Sequence, residues 1–206
     1  SLTAIILTKD EEIHLPRCLE NVVPRAERVL VVDSGSGDRT QEIARRYGVE
    51  VYEHGFKNQA DQFNWALDNI PIESPWILRL DADEYLLSGL WEEIDEKLEH
   101  AAADISGFAM RRRVIFMGRW IQHGGYYPTW FVRLFRRGMG RYEEREMDEH
   151  LVVRGRLENL THDFVDHNLK GLREFIARHN NYSTREAITR IREYTTGNTQ
   201  QAIHLR

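Results

Sequence analysis

Leu80-Asp81-Ala82-Asp83-Glu84 closes the apolar run Trp76-Ile77-Leu78 and its neighbour Leu80 with two carboxylates one residue apart. A strand that buries its body and ends in Asp-x-Asp delivers those acids to the edge of a sheet. Positions i and i+2 share one face of a strand. Asp81 and Asp83 are therefore expected to look together at one hard cation and at the phosphates that it bridges. Alone the triplet is a weak signal, because Asp-x-Asp also occurs in solvated turns, and its weight comes from what precedes it.

Leu2-Thr3-Ala4-Ile5-Ile6-Leu7-Thr8 reads as a buried strand, and Asp10 is placed to cap a helix entered through Glu11 and Glu12. A second run, Arg28-Val29-Leu30-Val31-Val32, ends at Asp33 and opens into Ser34-Gly35-Ser36-Gly37-Asp38. Asp38 suits an N-cap and Gly48 a stop for a helix over residues 40–47. Residues 49–53 read as a third strand, 58–69 as a third helix and 76–81 as a fourth strand. Strands that alternate with helices point to right-handed crossovers and a mostly parallel sheet. Ligands of such sheets sit outside the carboxyl ends of the strands, where Thr8, Asp33 and Asp81 fall.

Three ordered blocks carry a resemblance: Thr8-Lys9-Asp10-Glu11-Glu12, Val31-Val32-Asp33-Ser34-Gly35-Ser36-Gly37-Asp38-Arg39-Thr40, and Leu80-Asp81-Ala82-Asp83-Glu84. Together they resemble the inverting family-2 glycosyltransferases of the GT-A fold. The Asp-Ala-Asp-Glu form, with Gln62-Phe63-Asn64-Trp65-Ala66-Leu67 before it, is most similar to bacterial lipopolysaccharide-core and related surface-glycan transferases. The likeness is clear over residues 2–87 and looser to about His162. Asp10 departs from the family's usual Asn.

The resemblance implies an α/β fold with a Rossmann-like, mostly parallel central sheet flanked by helices. One GT-A domain is expected over residues 1–206, with a nucleotide-sugar-binding half at about 1–100, an acceptor-binding half at about 101–167 and a helical C-terminal segment at 168–206. It also implies Mn²⁺ or Mg²⁺ as cofactor, a nucleotide-diphosphate sugar as donor, with UDP favoured, and a glycan or lipid-linked saccharide as acceptor. Thr8, Glu11 and Gln62 are then expected to line the nucleoside pocket, with Asp33 bonded to the base. Asp81 reaches the ribose and the metal's solvation shell, and Asp83 binds the cation.

The 206 residues suit one domain with a sizeable core, and the 41% hydrophobic fraction is that of a globular protein. No stretch is long and apolar enough to span a bilayer, and the start does not read as a signal peptide. Ser1 stands where an initiator Met is expected, so trimmed ends are anticipated. The lone Cys18 fits a reducing cytoplasm and is expected to be a small buried apolar residue on the first helix.

The net charge is −5, yet residues 111–145 hold nine arginines against Glu143 and Glu144. Guanidinium forks bind phosphate bidentately, so this half favours an anionic partner such as a diphosphate, a phosphorylated head group or an acidic glycan. The plainer reading of Arg111 to Arg113 is a strand over 107–116 with its charges in water. Nucleic acid is excluded as a partner by the acidic whole and the lack of a recognition motif. The aromatic, glycine-rich segment 118–131 is the expected acceptor wall, through Trp120, His123, Tyr126 and Trp130, with Arg133 just beyond. Aromatic faces stack on sugar C–H faces. The plainer alternative is a hinged loop packed on the sheet.

Transfer of a sugar to a hydroxyl needs a base for the acceptor's proton. The resemblance assigns it to the acid before the last strand, Glu149 first and Asp148 second, against the alternative of two surface acids. His162 follows a strand expected at 156–160, and the resemblance sets it near the metal, with a capping role as its alternative; His150 and His167 are weaker candidates. From Asn168 the apolar spacing turns helical through Leu169, Leu172, Phe175 and Ile176, then Ala187, Ile188 and Ile191. The basic residues of these helices suit peripheral contact with the cytoplasmic face of an inner membrane, although a solvated charged face is the default. Two rival functions remain open in the sequence. Asp81-Ala82-Asp83 resembles the haloacid-dehalogenase phosphohydrolase motif, though Tyr85 stands where Thr or Val belongs. The other rival is a glycosyltransferase-like binding module without turnover.

Overall fold

The structure, a computed structural model, describes residues 1–143 and 150–196. Its elements run β1 (Leu2–Thr8), α1 (Leu15–Val22), β2 (Arg28–Asp33), α2 (Thr40–Arg46), β3 (Glu50–Glu53), α3 (Gln59–Asn69) and β4 (Trp76–Asp81). There follow β5 (Glu84–Leu86), α4 (Ser88–His100), β6 (Ile105–Phe116), β7 (Arg119–Trp120), β8 (Trp130–Arg136), β9 (Gly140–Tyr142), β10 (Leu151–Val153), β11 (Arg156–Asp166) and α5 (Gly171–Thr196).

The main sheet has the order β3-β2-β1-β4-β8-β6-β11-β5, with β7 paired to β6 and a separate β9–β10 ribbon. The first four strands are parallel, as the alternation of strands and helices predicts. The second half is mixed: β8 runs antiparallel to both β4 and β6, whereas β11 is parallel to β6. Strand β1 is buried along its whole length because both of its faces are covered, which is why it reads as an unbroken apolar run. One face packs Leu15, Cys18 and Leu19 of α1 with Leu90, Trp91 and Ile94 of α4, and the other packs Phe63 and Ala66 of α3 with Tyr142 of β9. Burial pushes the Cys18 thiol up, so it is an inert core residue.

Register brings the functional ends together. Thr8 pairs with Asp33, and Leu7 with Asp81, so β1, β2 and β4 finish at one edge. Several local expectations are corrected here. Asp10 caps no helix: it adopts a positive φ of 54° and its carboxylate accepts from Gly37 N–H at 2.7 Å, tying the two loops after β1 and β2 together. Asp83 is not on the strand, since Ala82 and Asp83 form the turn between β4 and β5. The strand expected at 156–160 continues to Asp166, passing a register irregularity between Asn159 and Asp163. The C-terminal pattern is one 26-residue helix, and the drift of its apolar positions reflects a change of face along it.

Two amides, of half-buried Asn21 and buried Asn64, pair with backbone as a neighbouring strand would. Asn21 on α1 accepts from Leu86 N–H at 2.9 Å, donates to Leu86 C=O at 2.9 Å and also accepts from the Trp91 indole at 3.1 Å. Asn64 on α3 makes the same two-way pairing with the Tyr142 backbone, both bonds at 3.0 Å. The first holds β5 beside the acid turn, and the second holds β9 beside the cavity. Replacing Asn21 by Ala orphans three partly buried groups, each worth about 1–3 kcal/mol when unsatisfied. Asn21→Ala is expected to cost about 2–3 kcal/mol, read in urea as a lower midpoint at unchanged slope.

Candidate functional site

At the carboxyl ends of β1 and β4 lies a cavity of about 1030 Å³ whose wall includes Thr8, Glu11, Gln62, Asp81, Asp83 and Arg133. One end of it is organised by Asp33, which is fully buried. One Asp33 oxygen accepts from the backbone N–H groups of Gly35 and Ser36 and from the Gln41 amide, at 3.0, 2.8 and 2.9 Å. The other accepts from the hydroxyls of Thr8 and Ser36, at 2.8 and 2.5 Å. Burial would raise this acid, but the bonds from Ser36, Gln41 and Thr8 outweigh it and hold the carboxyl below its ordinary range. Its acceptor capacity is spent on the loop, and Asp33 is not among the residues lining the cavity. Asp33, expected to bond a base, here bonds Thr8 and Gln41 and shapes the loop at residues 34–37.

Gln62 is the opposite case. Only 1% of it is exposed. Its amide nitrogen points at Val32 C=O, 3.5 Å away, which leaves the amide oxygen as the buried, unpartnered group in a residue that lines the cavity. A buried acceptor without a donor is costly in the free protein and inexpensive to fill with a ligand N–H. Phe56, exposed beside it, and Gln59 complete this end. Glu11 lines the cavity while accepting from Lys170 at 2.7 Å, and it also bonds His14.

The acids sit in a lattice of guanidiniums. Arg79, buried within β4, forks onto Asp81 with bonds of 2.7 and 2.8 Å. Burial would raise Asp81, but the charges of Arg79 and Arg133 hold it below the usual carboxylate range. Glu84 closes the turn from beneath: it accepts from Asp81 N–H at 2.9 Å and pairs with Arg133. Burial pushes Glu84 up to about 7 in spite of the Arg133 charge. Asp83 accepts from the Asn168 amide at 2.9 Å. Asp166, at the end of β11, is raised to about 6 by burial and by the Asp83 charge, with Arg112 at 3.6 Å opposing the shift. Among the described residues no three acids, histidines or cysteines form a ready metal cage. Asp83 and Asp166, which both line the cavity, would suit a divalent cation that also takes oxygen ligands from phosphate. Asp83 is the better protein ligand, because both oxygens of Asp81 are taken by Arg79.

His162 is not brought to this site. Its ring nitrogen bonds Glu93 on α4 at 2.9 Å, and a Cβ built on Gly89 would stand 2.7 Å from the ring, so it caps the edge of the fold. Because β11 runs on past Leu160, the histidine at its end is His167, which lines the cavity and donates its backbone N–H to Asp83 C=O at 3.0 Å. Arg17 braces that junction, donating to the carbonyls of His167 and Asp83 at 2.7 and 3.2 Å.

The expected acceptor wall divides. Tyr126 and Trp130 line the cavity, 43% and 41% exposed. Trp120 does not: it packs edge-on against Tyr127 at 5.0 Å with the Arg113 guanidinium 4.1 Å above it. His123 is exposed and outside the cavity wall. Arg133 reaches the cavity but is committed to Glu84 between Phe131 and Phe164. Arg111 and Arg113 are not solvated strand charges, since both bind the buried Asp163 at 2.9 Å. Arg112, between them, faces the other way and reaches the cavity, as strand alternation requires. Asp148 and Glu149 lie outside the described residues.

The sequence reading missed Arg79, Asp166 and the cavity-facing part of α5. Arg79 was detectable as the one charge inside the run that precedes the acid pair, two residues from Asp81 and so on its face. Asp166 and α5 carry no local signal, because only the long-range pairing of β11 with β6 brings them here.

Comparison with known proteins agrees with this architecture. A family model described as glycosyl transferase family 2 matches residues 3–178. The lipopolysaccharide core biosynthesis glycosyltransferase LpsC of Rhizobium meliloti is 31% identical over 169 residues, which cover 77% of this chain and 59% of that protein. An uncharacterized glycosyltransferase of Rickettsia bellii is 35% identical over 94 residues, 46% of this chain and 31% of that protein. The chain thus spans less than two thirds of the length of these relatives. Among solved structures, S. aureus TarS 1–349 in complex with UDP-GlcNAc superposes with a TM-score of 0.59 at 14% identity, over 84% of this chain and 60% of that one. The fold is accordingly the GT-A type that the sequence resembles, and the phosphohydrolase reading falls away. The chain belongs to glycosyl transferase family 2.

Proposed function

We propose that this chain carries out inverting, metal-dependent transfer of a sugar from a nucleotide-diphosphate sugar to a hydroxyl of a glycan or lipid-linked saccharide in bacterial surface-glycan synthesis, at the cytoplasmic face of the membrane. The observation that carries this reading is the acid turn: Asp81 and Asp83 line the same cavity as Asp166 and the residue with the unpartnered amide oxygen, Gln62. Among the described residues no helix is long and apolar enough to cross a membrane.

Mn²⁺ or Mg²⁺ bound at Asp83 supplies positive charge for the departing diphosphate, where negative charge grows. The protein's own groups do the rest. Asp33 and Thr8 set the loop that receives the nucleoside, and Arg79 holds Asp81 beside the ribose. Glu84 and Arg133 keep the turn from collapsing into the cavity. The acceptor oxygen bonds to the anomeric carbon as the bond to the diphosphate oxygen breaks and its electron pair leaves with the nucleotide. The acceptor proton passes to Glu149, a role that rests on the sequence resemblance alone. Tyr142 and His150, which flank residues 143–149, both line the cavity.

Base recognition falls to Gln62, because Asp33 is saturated. A buried amide oxygen selects a base with a ring N–H, as in uracil or guanine, over cytosine, whose corresponding nitrogen accepts. The UDP complex of the TarS relative is consistent with that class of donor.

Asp83→Asn is expected to abolish turnover and Mn²⁺-dependent UDP binding in calorimetry while the melting temperature is kept; undiminished binding at saturating Mn²⁺ would remove Asp83 from the mechanism. Gln62→Leu is expected to weaken UDP binding by about 0.5–1.5 kcal/mol and to leave CDP binding unchanged. An equal loss for both nucleotides means that Gln62 only shapes the pocket. Glu149→Gln keeps size and should preserve donor affinity while slowing transfer by about 10²–10⁴-fold, with a much smaller effect for Asp148→Asn. The reverse order of the two effects makes Asp148 the base.

A further inference from the structure

Five cationic side chains reach the cavity wall: Lys9, Arg79, Arg112, Arg133 and Arg178. Four are already engaged. Lys9 donates to Gly35 C=O at 2.6 Å, Arg79 forks onto Asp81, Arg112 stands 3.6 Å from Asp166, and Arg133 pairs with Glu84. Arg178, half-buried on α5, has no carboxylate or carbonyl partner among the described residues. A partly desolvated guanidinium left without a counter-charge in a cavity is a site for an anion from outside.

The helix that carries Arg178 is held in place from both sides. At its root Lys170 binds Glu11 at 2.7 Å, Leu169 N–H donates to His14 at 2.7 Å, and Asn168 binds Asp83. Further on, Phe175 packs against Phe116 beyond the end of the sheet, ring centres 4.7 Å apart. Phe175, Arg178, His179 and Tyr182 follow the i, i+3, i+4, i+7 spacing of one helix face, and all four line the cavity. His179 donates its Nδ1–H to Phe175 C=O at 2.8 Å, which leaves Nε2 for a ligand. Tyr126 and Trp130 supply aromatic faces in the same cavity. At 1.5 Å per residue, Arg178 stands roughly 10 Å along the axis from Gly171, a helix start that itself adjoins the Asp83 turn.

We propose that this face of α5 is the acceptor subsite, and that Arg178 selects an acceptor sugar bearing an anionic group, a phosphate or a carboxylate. The inference rests on the transfer function proposed above and adds the class of acceptor. The aromatic groups hold the sugar ring, and the guanidinium fork reads the anion bidentately, a geometry that a lysine does not reproduce.

The test is calorimetric titration of the full chain with glucose, glucose 6-phosphate and glucuronate, each with and without UDP and Mn²⁺. Both charged sugars are expected to bind about tenfold or more tightly than glucose, as a charge-assisted hydrogen bond requires, with a preference that shrinks as salt is added. The sugar phosphate and the uronate arms show which anion is preferred. Arg178→Gln should erase the preference while glucose and UDP affinities stay unchanged, and Arg178→Lys should restore part of it. Equal binding of the three sugars by the wild-type chain overturns the proposal. So does an Arg178→Gln variant that loses UDP affinity as strongly as sugar-phosphate affinity, because Arg178 then serves the donor's diphosphate. A wild-type chain that binds no UDP counts against the transfer function, whereas the anion preference is read separately from the arms without nucleotide.

Discussion

The site depends on a guanidinium buried inside a strand. Arg79 occupies a position of β4 that would otherwise be apolar, and its fork takes both oxygens of Asp81 at the strand's end. Removing Asp81 would leave the buried Arg79 with only Glu84, 4.0 Å away, as its counter-charge, and breaking a buried pair costs more than the pair contributes. Around that pair the charges alternate: Arg133 lies between Glu84 and Asp81, and Arg112 opposes Asp166. The lattice holds four acids close together, with Arg112 3.6 Å from Asp166 and the Asn168 amide bonded to Asp83 at 2.9 Å.

The two ends of the cavity are built differently, and the difference follows from topology. At one end, the loop that follows β2 has its geometry set by backbone N–H bonds to Asp33, Asp10 and Asp38. The other end is assembled from β6, the loop before β8 and α5, held by aromatic packing and by a few bonds from Glu11, His14 and Arg17 to residues 167–170. Arg111, Arg113 and Tyr127, bound to the buried Asp163, form the frame on which that second end is mounted.

Much of the first half was legible because its signals are local. Apolar runs closed by Thr8, Asp33 and Asp81 became parallel strands with those residues at one edge, since an unbroken apolar run is what a strand covered on both faces must be. Asn58, expected at the head of the third helix, accepts from Asp61 N–H at 2.7 Å as its N-cap. Gly48 takes the positive φ of 72° that ends α2. The errors have physical causes as well. Strand alternation does not extend through a turn, so the Asp81 and Asp83 pairing was argued from the wrong geometry although both reach the cavity. A register irregularity inside β11 hid the end of that strand, which moved the expected histidine from His167 to His162.

By itself the sequence determined the parallel half of the sheet, the edge at which ligands gather and the acids that stand there, because periodicity and strand-end chemistry act over a few residues. Only the tertiary structure decided which of those groups are available. Hydrogen-bond saturation withdrew Asp33 and left the Gln62 oxygen open, a distinction that depends on partners up to thirty residues away. Ion pairing bound Arg111, Arg113 and Arg133 and left Arg178 to face the cavity, since charge neutralisation is a property of neighbours in space rather than in sequence.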